Sequence, residues 1–395
     1  MNASPPFQFS NTPLLDRRGV GNPSFGILST YPPTPCGLAN FSAALADGLS
    51  TLGADVNVVR VADGAPTRSS RVVGELVNGS PASVSACPDL LGASDIAIIQ
   101  HDFGVYGGPD GDELVEILGA LEVPSIVVVH SVPADPSRHQ RSVLEAVTAL
   151  ADRVVVMSES AGTRLCAGFG VERRKVTTIP HGAYVPAVAH TNRSGRPTVL
   201  TWGLLGPGKG LERVIDAMSS LHSLRGNPRY LIAGRTHPKV LAAEGEAYRE
   251  ARVEQARRAG VAAHVQFDPG YRDVRSLAAL VQSASVVVLP YDSTDQVTSG
   301  VLVDAIAAGR PVVATAFPHA VELLAGGAGI VVAHDDPEAM TAAIHSVLTR
   351  PRLAGAMAAE ARRIGPATAW PVIADRYQAL AQRVLATQSK RTWQA

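Results

Sequence analysis

The chain has 395 residues, with 35 Lys and Arg balanced by 35 Asp and Glu for a formal net charge of zero. That length exceeds one ordinary hydrophobic core, so two domains are the starting expectation. A neutral balance without a long basic block excludes the electrostatic footprint of a nucleic-acid binder. No window approaches the roughly 20 apolar residues that a spanning helix needs, and MNASPPFQFSNTPLLDRRGV lacks the charged-then-apolar order of a signal peptide. A cytoplasmic protein is expected, with peripheral membrane contact left open. Cys36, Cys87 and Cys166 are too scattered for a disulfide framework or a zinc site, so no metal centre is expected.

In chain order, residues 1–22 are polar, Pro-containing and aperiodic, and read as a loosely docked arm. Strands and helices then alternate: Phe25–Ser29, a helix from Leu38, Val56–Val61, Ile96–Gln100, a helix near Glu113, Ser125–His130, a helix near Val143, Val154–Met157, a helix from Ala161, and Val176–Ile179. Such alternation predicts a parallel sheet. Val143, Leu144, Val147 and Leu150 have the spacing of a helix face packed on that sheet. The Pro- and Gly-bearing run HGAYVPAVAHTNRSGRPTVL marks a domain boundary, placed between residues 187 and 188. The alternation restarts at Thr198–Trp202 and continues with a helix through Leu211 to Met218, Tyr230–Ala233, a long helix through Arg249, Val265–Phe267, a helix near Leu277 and Val286–Leu289. Two α/β halves, 23–187 and 188–365, are therefore expected to face each other across a cleft. The segment from 366 to 395 has Trp370, Ile373, Tyr377, Leu380 and Val384 at the helical spacing of a docking face.

The richest segment is SVVVLPYDSTDQVTSGVLVDAIAAGRPVVAT. A buried strand closed by Pro290 leads through the loop Tyr291–Thr298 to Ser299 and Gly300, a helix start whose unpaired N–H groups can receive a diphosphate. Asp304, one turn deeper, can accept hydrogen bonds from ribose hydroxyls. The alternative is an ordinary capped helix with a solvated Asp. In GLLGPGKGLERVIDAM, a Gly-rich turn with Gly208 brings Lys209 to a helix start, although Gly210 stands where a P-loop needs Ser or Thr. Arg235 follows a strand in AGRTHP. In the first half, Gly37 lies in STYPPTPCGLANF, His101 and Asp102 in QHDFGVYGG, His130 in VVVHSVP and His181 in IPHG. Strand ends of neighbouring parallel strands converge on the cleft, so these polar groups are candidates for its wall. For His130 the competing explanation is a core ring satisfied by a backbone carbonyl, and for His181 a hinge residue between the halves.

The succession GLLGPGKG, AGRTHP and PYDSTDQVTSGVLVDAIAAGRPVVAT resembles the GT-B retaining glycosyltransferases of family 4, over residues 25 to about 385. The resemblance implies two Rossmann-like α/β domains, the first facing the acceptor and the second holding a nucleotide sugar, with the C-terminal helix crossing back. It implies that Lys209 binds the donor diphosphate and that Asp304 and Gln296 occupy the places of a Glu pair that binds ribose and sugar. The family's Arg falls near Leu204, which leaves Arg235 as the candidate substitute cation. His130 is expected at a hydroxyl of the donor hexose. The reacting centre is then His130, Lys209 and Gln296; the donor site adds Gly37, Gly208, Arg235, Tyr291, Ser299, Gly300 and Asp304; His101, Asp102 and His181 complete the cleft. Asp110-Gly111-Asp112 resembles the metal-binding Asp pair of a different glycosyltransferase fold, but precedes a helix and is expected to cap it.

These parts imply a retaining, metal-independent transfer of a hexose from a nucleotide diphosphate sugar to a hydroxyl of a sugar, glycan or lipid-linked glycan, with no cofactor beyond the donor. Competing readings are a GT-B epimerase or phosphorylase, and a nucleotide-sugar-binding protein without turnover, suggested by Leu204 and Gln296. An NAD-dependent oxidoreductase is disfavoured because TPCGLAN is no Gly-x-Gly-x-x-Gly turn.

Overall fold

The computed structural model describes residues 22–187, 195–270 and 272–392. The expected arm, except for Asn22, and the middle of the expected linker lie outside the described residues. Asn22 itself is tied down, its side chain donating to the Leu52 carbonyl and accepting from Gln378.

The first half runs β1 Phe25–Ser29, α1 Gly37–Thr51, β2 Val56–Val61, β3 Val72–Leu76, α2 Pro81–Gly92, β4 Ile96–His101, α3 Glu113–Gly119, β5 Ser125–Val129, α4 Arg138–Leu150, β6 Arg153–Val156, α5 Glu159–Phe169 and β7 Val176–Thr178. The second runs β8 Thr198–Trp202, α6 Leu211–Leu221, β9 Arg229–Ala233, α7 Pro238–Glu244, α8 Ala247–Arg258, β10 Val265–Asp268, α9 Val274–Ser283, β11 Val286–Leu289, α10 Gly300–Ala307, β12 Val312–Thr315, α11 Pro318–Leu324, β13 Gly329–Val332, α12 Pro337–Thr349 and α13 Pro351–Ile364, before α14 Trp370–Thr392.

Each half carries one parallel sheet, ordered β3-β2-β1-β4-β5-β6-β7 and β10-β9-β8-β11-β12-β13. The central strands β1, β4, β5, β8, β11 and β12 are buried along their whole length, which is why they read as short, largely apolar runs. Strand order reverses between β1 and β4 and again between β8 and β11. The crevice outside the carboxyl ends of such strands is where open α/β sheets bind ligands. Both switch points therefore deliver their following loops, residues 30–36 and 203–210 among them, to one cleft.

Three elements differ from the expected string. The edge strand β3 alternates half-buried and exposed residues, and α2 contains Pro88; neither signals itself strongly in sequence. The long helix expected through Arg249 is two, α7 and α8, because Gly245 at φ +63 ends the first.

Helix α14 docks on α1, its Ile373, Tyr377, Leu380 and Val384 sharing one core with Phe41, Leu45 and Leu49. Burying each such side chain contributes roughly 1.5–3 kcal/mol. Contact is close enough that a Cβ on Gly48 would stand 2.7 Å from that of Ala374. The chain crosses between the halves twice, and the crossings are bonded to each other: the Ala183 amide donates to Thr368 at 2.8 Å, and the Trp370 amide to Ala183 at 3.3 Å. No helix among the described residues is long and apolar enough to cross a membrane.

Candidate active site

The second half supplies a charged wall. The turns after β8 and β9 each have a glycine that its path demands. At Gly210, φ is +64 and a Cβ would lie 1.7 Å from the Pro290 carbonyl oxygen; at Gly234, after β9, a Cβ would lie 1.9 Å from the Gly203 oxygen. Three loops are thereby laced together. The Leu205 amide donates to the Arg235 carbonyl at 2.8 Å, the His237 amide to the Leu205 carbonyl at 2.7 Å, and the Asp292 amide to the Gly208 carbonyl at 3.0 Å. Arg213 holds both the Pro290 carbonyl, at 2.7 Å, and the Asp292 carboxylate, at 2.5 Å. The Gly at 210, which rules out a P-loop, is thus a consequence of Pro290 backing onto this turn.

Lys209 extends from that turn over the ring of Tyr291, its Nζ 4.5 Å from the ring centroid. Partial burial lowers its pKa, which the aromatic face offsets by stabilising the ammonium. Tyr291 stacks in turn on Phe317 at 5.4 Å and is 2% exposed. It serves as the platform under Lys209 and does not itself face the cleft. Gly208 and Arg235 are exposed beside it.

The start of α10 carries a finer assignment than its sequence suggested. Ser299 Oγ caps the helix through the Leu302 amide at 3.3 Å, and the Ser299 amide is taken by His319 Nδ1 at 2.9 Å. Ser299 is 3% exposed, so the amides left for an anion are those of Gly300 and Val301. His319, at the start of α11, escaped the sequence reading. Its signal was its position just after the Phe-Pro start of α11, which brings it beside Ser299. Burial, with the neighbouring His181, pushes its pKa down to about 3, so it is a neutral acceptor.

Asp304 lies one turn along α10, partly buried, and its carboxylate has no hydrogen-bond or ion-pair partner among the described residues. Burial pushes its pKa up to about 7. A carboxylate kept partly desolvated and unpaired is costly unless a ligand supplies donors. The Gln296 amide Nε2 donates to the Thr298 carbonyl at 2.9 Å, folding the side chain onto its own loop and leaving Oε1 as its acceptor. A carboxylate in that place would face a carbonyl oxygen, so the loop is built for the amide.

The first half supplies a neutral wall. His130 directly follows β5, and its Nε2 donates to Gln100 Oε1 at 2.6 Å, leaving Nδ1 as an acceptor. Burial is the main cause that takes its pKa down to about 3. Phe41 meets His130 edge-on at 5.0 Å, His181 at 5.1 Å and Trp370 at 5.0 Å. Phe41 packs in the core that α1 shares with α14. Gly37 begins that helix, exposed and with open space on the side where a Cβ would sit. His181 Nδ1 donates to the Gly182 carbonyl at 2.7 Å, and its bare Nε2 would lie 2.9 Å from a Cβ on Gly300. His181 therefore reaches across to α10, which explains Gly at its first position. Burial takes the His181 pKa down to about 4.

His101 goes elsewhere. Alternation along β4 sends Gln100 to the α1 side of the sheet and His101 to the other, where it is 1% exposed and meets Phe103 edge-on at 5.2 Å. Both ring nitrogens are buried without a hydrogen-bond partner among the described residues, and burial lowers the pKa to about 4. It belongs to the core beneath the wall, correcting the expectation of a cleft residue. Asp102, half-buried, accepts from the Phe103 amide at 2.8 Å; burial raises its pKa, against hydrogen bonding from Ser131 and the charge of Lys239 on α7. The expected cap at Asp110-Gly111-Asp112 is also corrected: Asp112 makes no side-chain capping bond, and both carboxylates face His139, at 3.0 and 3.5 Å. Among the described residues no three His, Cys, Asp or Glu side chains are grouped to hold a metal ion.

Two Rossmann-like sheets facing one cleft, a lysine and a helix start on one side and neutral histidines on the other, define a GT-B enzyme. Residues 188–364 match the family of glycosyl transferases group 1, and residues 35–184 match glycosyltransferase family 4. The chain belongs to the group 1 glycosyltransferases of GT-B fold. Among solved structures, a glycosyltransferase from Rickettsia africae has TM-score 0.72 at 14% identity, over 92% of this chain and 99% of that one. HepE of Anabaena in complex with UDP has TM-score 0.70 at 18% identity, over 93% and 100%. Sucrose-phosphate synthase of Thermosynechococcus elongatus has TM-score 0.71 at 18% identity, over 92% and 99%. At these identities the likeness establishes the fold. No curated protein matches the sequence.

Proposed function

We propose that this glycosyltransferase moves a hexose from a nucleotide diphosphate sugar to an acceptor hydroxyl with retention at the anomeric carbon and without a metal ion. The observation that carries the reading is the geometry of the charged wall: an ammonium held over Tyr291, a helix start with two spare amides, and an unpaired carboxylate one turn deeper. In glycosyl transfer from such a donor, negative charge develops on the leaving diphosphate, and fixed donors aimed there lower the barrier most. Lys209 and the amides of Gly300 and Val301 meet that charge, with Arg235 on the adjoining loop as the second cation. Asp304 takes ribose hydroxyls, and Gln296 and His130 take sugar hydroxyls from opposite sides of the cleft. Solved relatives bound to UDP and to UDP-glucose favour a uridine donor as the first to try. The acceptor is a sugar, glycan or lipid-linked glycan, reached from the cytoplasm.

The test is a panel of nucleotide sugars with candidate acceptors, following nucleotide release and product anomeric configuration, with and without EDTA. Inversion at the anomeric carbon, or loss of turnover in EDTA, sinks the corresponding part of the proposal. Release that requires free phosphate points to a phosphorylase, and binding without release to a protein that has lost turnover.

A further inference from the structure

Residues Asp295 and Val297, which flank Gln296, are held less by their own domain than by the opposite one. The Asp295 carboxylate accepts from the Ala134 amide at 3.0 and 3.1 Å and pairs with Arg164 on α5. Arg164 also donates to the carbonyls of Asp295 and Val132, both at 2.8 Å. Ser158, the cap of α5, donates its hydroxyl to the Val297 carbonyl at 2.7 Å while accepting from the Ala161 amide. The Val297 side chain, 3% exposed, is buried in the core of the first half with Val132, Ala161 and Leu165. A parallel seam runs through Glu322 on α11, whose carboxylate accepts the Glu159 and Ser160 amides at 2.9 Å each. Neither the Lys209 turn nor Asp304 takes part in these bonds.

We propose that Arg164 and Ser158 are positioning residues of the donor site: the N-terminal domain shapes the Gln296 segment and so completes the sugar end of a site whose nucleotide end is complete without it. This rests on the donor reading given above. The consequence is a split recognition. A free nucleotide diphosphate needs only the second half, whereas holding the hexose requires the domains to be joined at Arg164–Asp295.

The split is measurable in the full chain. Amide hydrogen exchange over residues 292–299 is expected to rise about tenfold or more in Arg164→Ala, with β11 and the interior of α10 unchanged. For whichever nucleotide sugar the wild-type enzyme turns over, kcat is expected to fall about tenfold while the Kd of the matching free nucleotide diphosphate stays within about twofold. Arg164→Lys should recover part of kcat, a rescue that general loss of fold would not give. Should Arg164→Ala fail to fold, Ser158→Ala carries the same measurements. Unchanged exchange over 292–299, equal weakening of nucleotide and nucleotide sugar, or increased exchange with unaltered kcat would each overturn the proposal. A wild-type protein that turns over no nucleotide sugar defeats the functional reading, and exchange over 292–299 still decides the positioning claim.

Discussion

The two walls of the cleft solve recognition by different means. The C-terminal wall is ionic: Lys209 sets its side-chain nitrogen over an aromatic face, and Asp304 stands partly buried without a partner among the described residues. The N-terminal wall is neutral: burial lowers the pKa values of His130 and His181 to about 3 and about 4, and an aromatic cluster around Phe41 holds both rings. Fixed charge suits a diphosphate, which is charged in every state of the reaction. Neutral donors and acceptors suit a hexose and an acceptor hydroxyl, which carry little charge until bonds break. The difference teaches that a substrate of mixed character is read by two surfaces of unlike electrostatics, brought together by domain pairing.

The largest expected effect tests the ionic wall. Lys209→Ala should lower kcat/KM by about 10²–10³-fold, since it removes charge stabilisation at the leaving group. His130→Ala on the neutral wall should cost about tenfold, mostly in discrimination between sugars. Steady-state kinetics of both variants on one donor compares the walls directly, and a larger loss for His130 would invert the assignment.

The next effect is one of pH. With its pKa near 7, Asp304 is mostly protonated at pH 6 and mostly ionised at pH 8. If the ionised form accepts the ribose hydroxyls, donor Kd should tighten about tenfold between those values, and Asp304→Asn should remove the dependence while weakening binding at pH 8. Isothermal titration across this range would show it. A wild-type Kd that ignores pH would move the ribose elsewhere. A smaller change is expected of Gln296→Glu. Because Nε2 donates to the Thr298 carbonyl, a carboxylate would be repelled there, so the substitution should weaken donor binding by about two- to fivefold instead of improving it.

These contrasts also show what one sequence discloses. The central strands were legible because burial on both faces writes unbroken runs such as Val286–Leu289, and Lys209 and Asp304 were legible because their loop and helix carry local signatures. His319 was not, since its bond to the Ser299 amide joins two helices 20 residues apart. Nor was the Arg164–Asp295 seam, whose partners lie 131 residues apart and are related only by domain pairing. Sequence places Ser299 among the phosphate donors because the partner of its amide is not visible there. It places His101 in the cleft because convergence of strand ends is a property of strands, whereas the face a side chain takes depends on pleat register.

That register sets where the neutral wall ends. His101 is 1% exposed with two unpartnered ring nitrogens, and its folded pKa of about 4 lies below the ordinary 6.5. Between those values the unfolded chain binds a proton that the folded ring refuses, so stability should fall as pH drops from 6.5 towards 4. Asp304 acts oppositely: between 3.8 and about 7 its folded carboxyl retains a proton that the unfolded one has released, so its contribution falls as pH rises. His130, His181 and His319 share the sign of His101, Asp102 shares that of Asp304, and four rings outweigh two carboxyls, giving net acid destabilisation. His101→Leu replaces an unsatisfied buried ring with an apolar side chain, which should add about 1–2 kcal/mol of stability, more at pH 5 than at pH 8. Because His101 lies under the wall and not on it, kcat should stay within about twofold, whereas His130→Leu should lose activity at every pH. Thermal melts at the two pH values, read beside turnover, separate a core histidine from a cleft histidine one strand away.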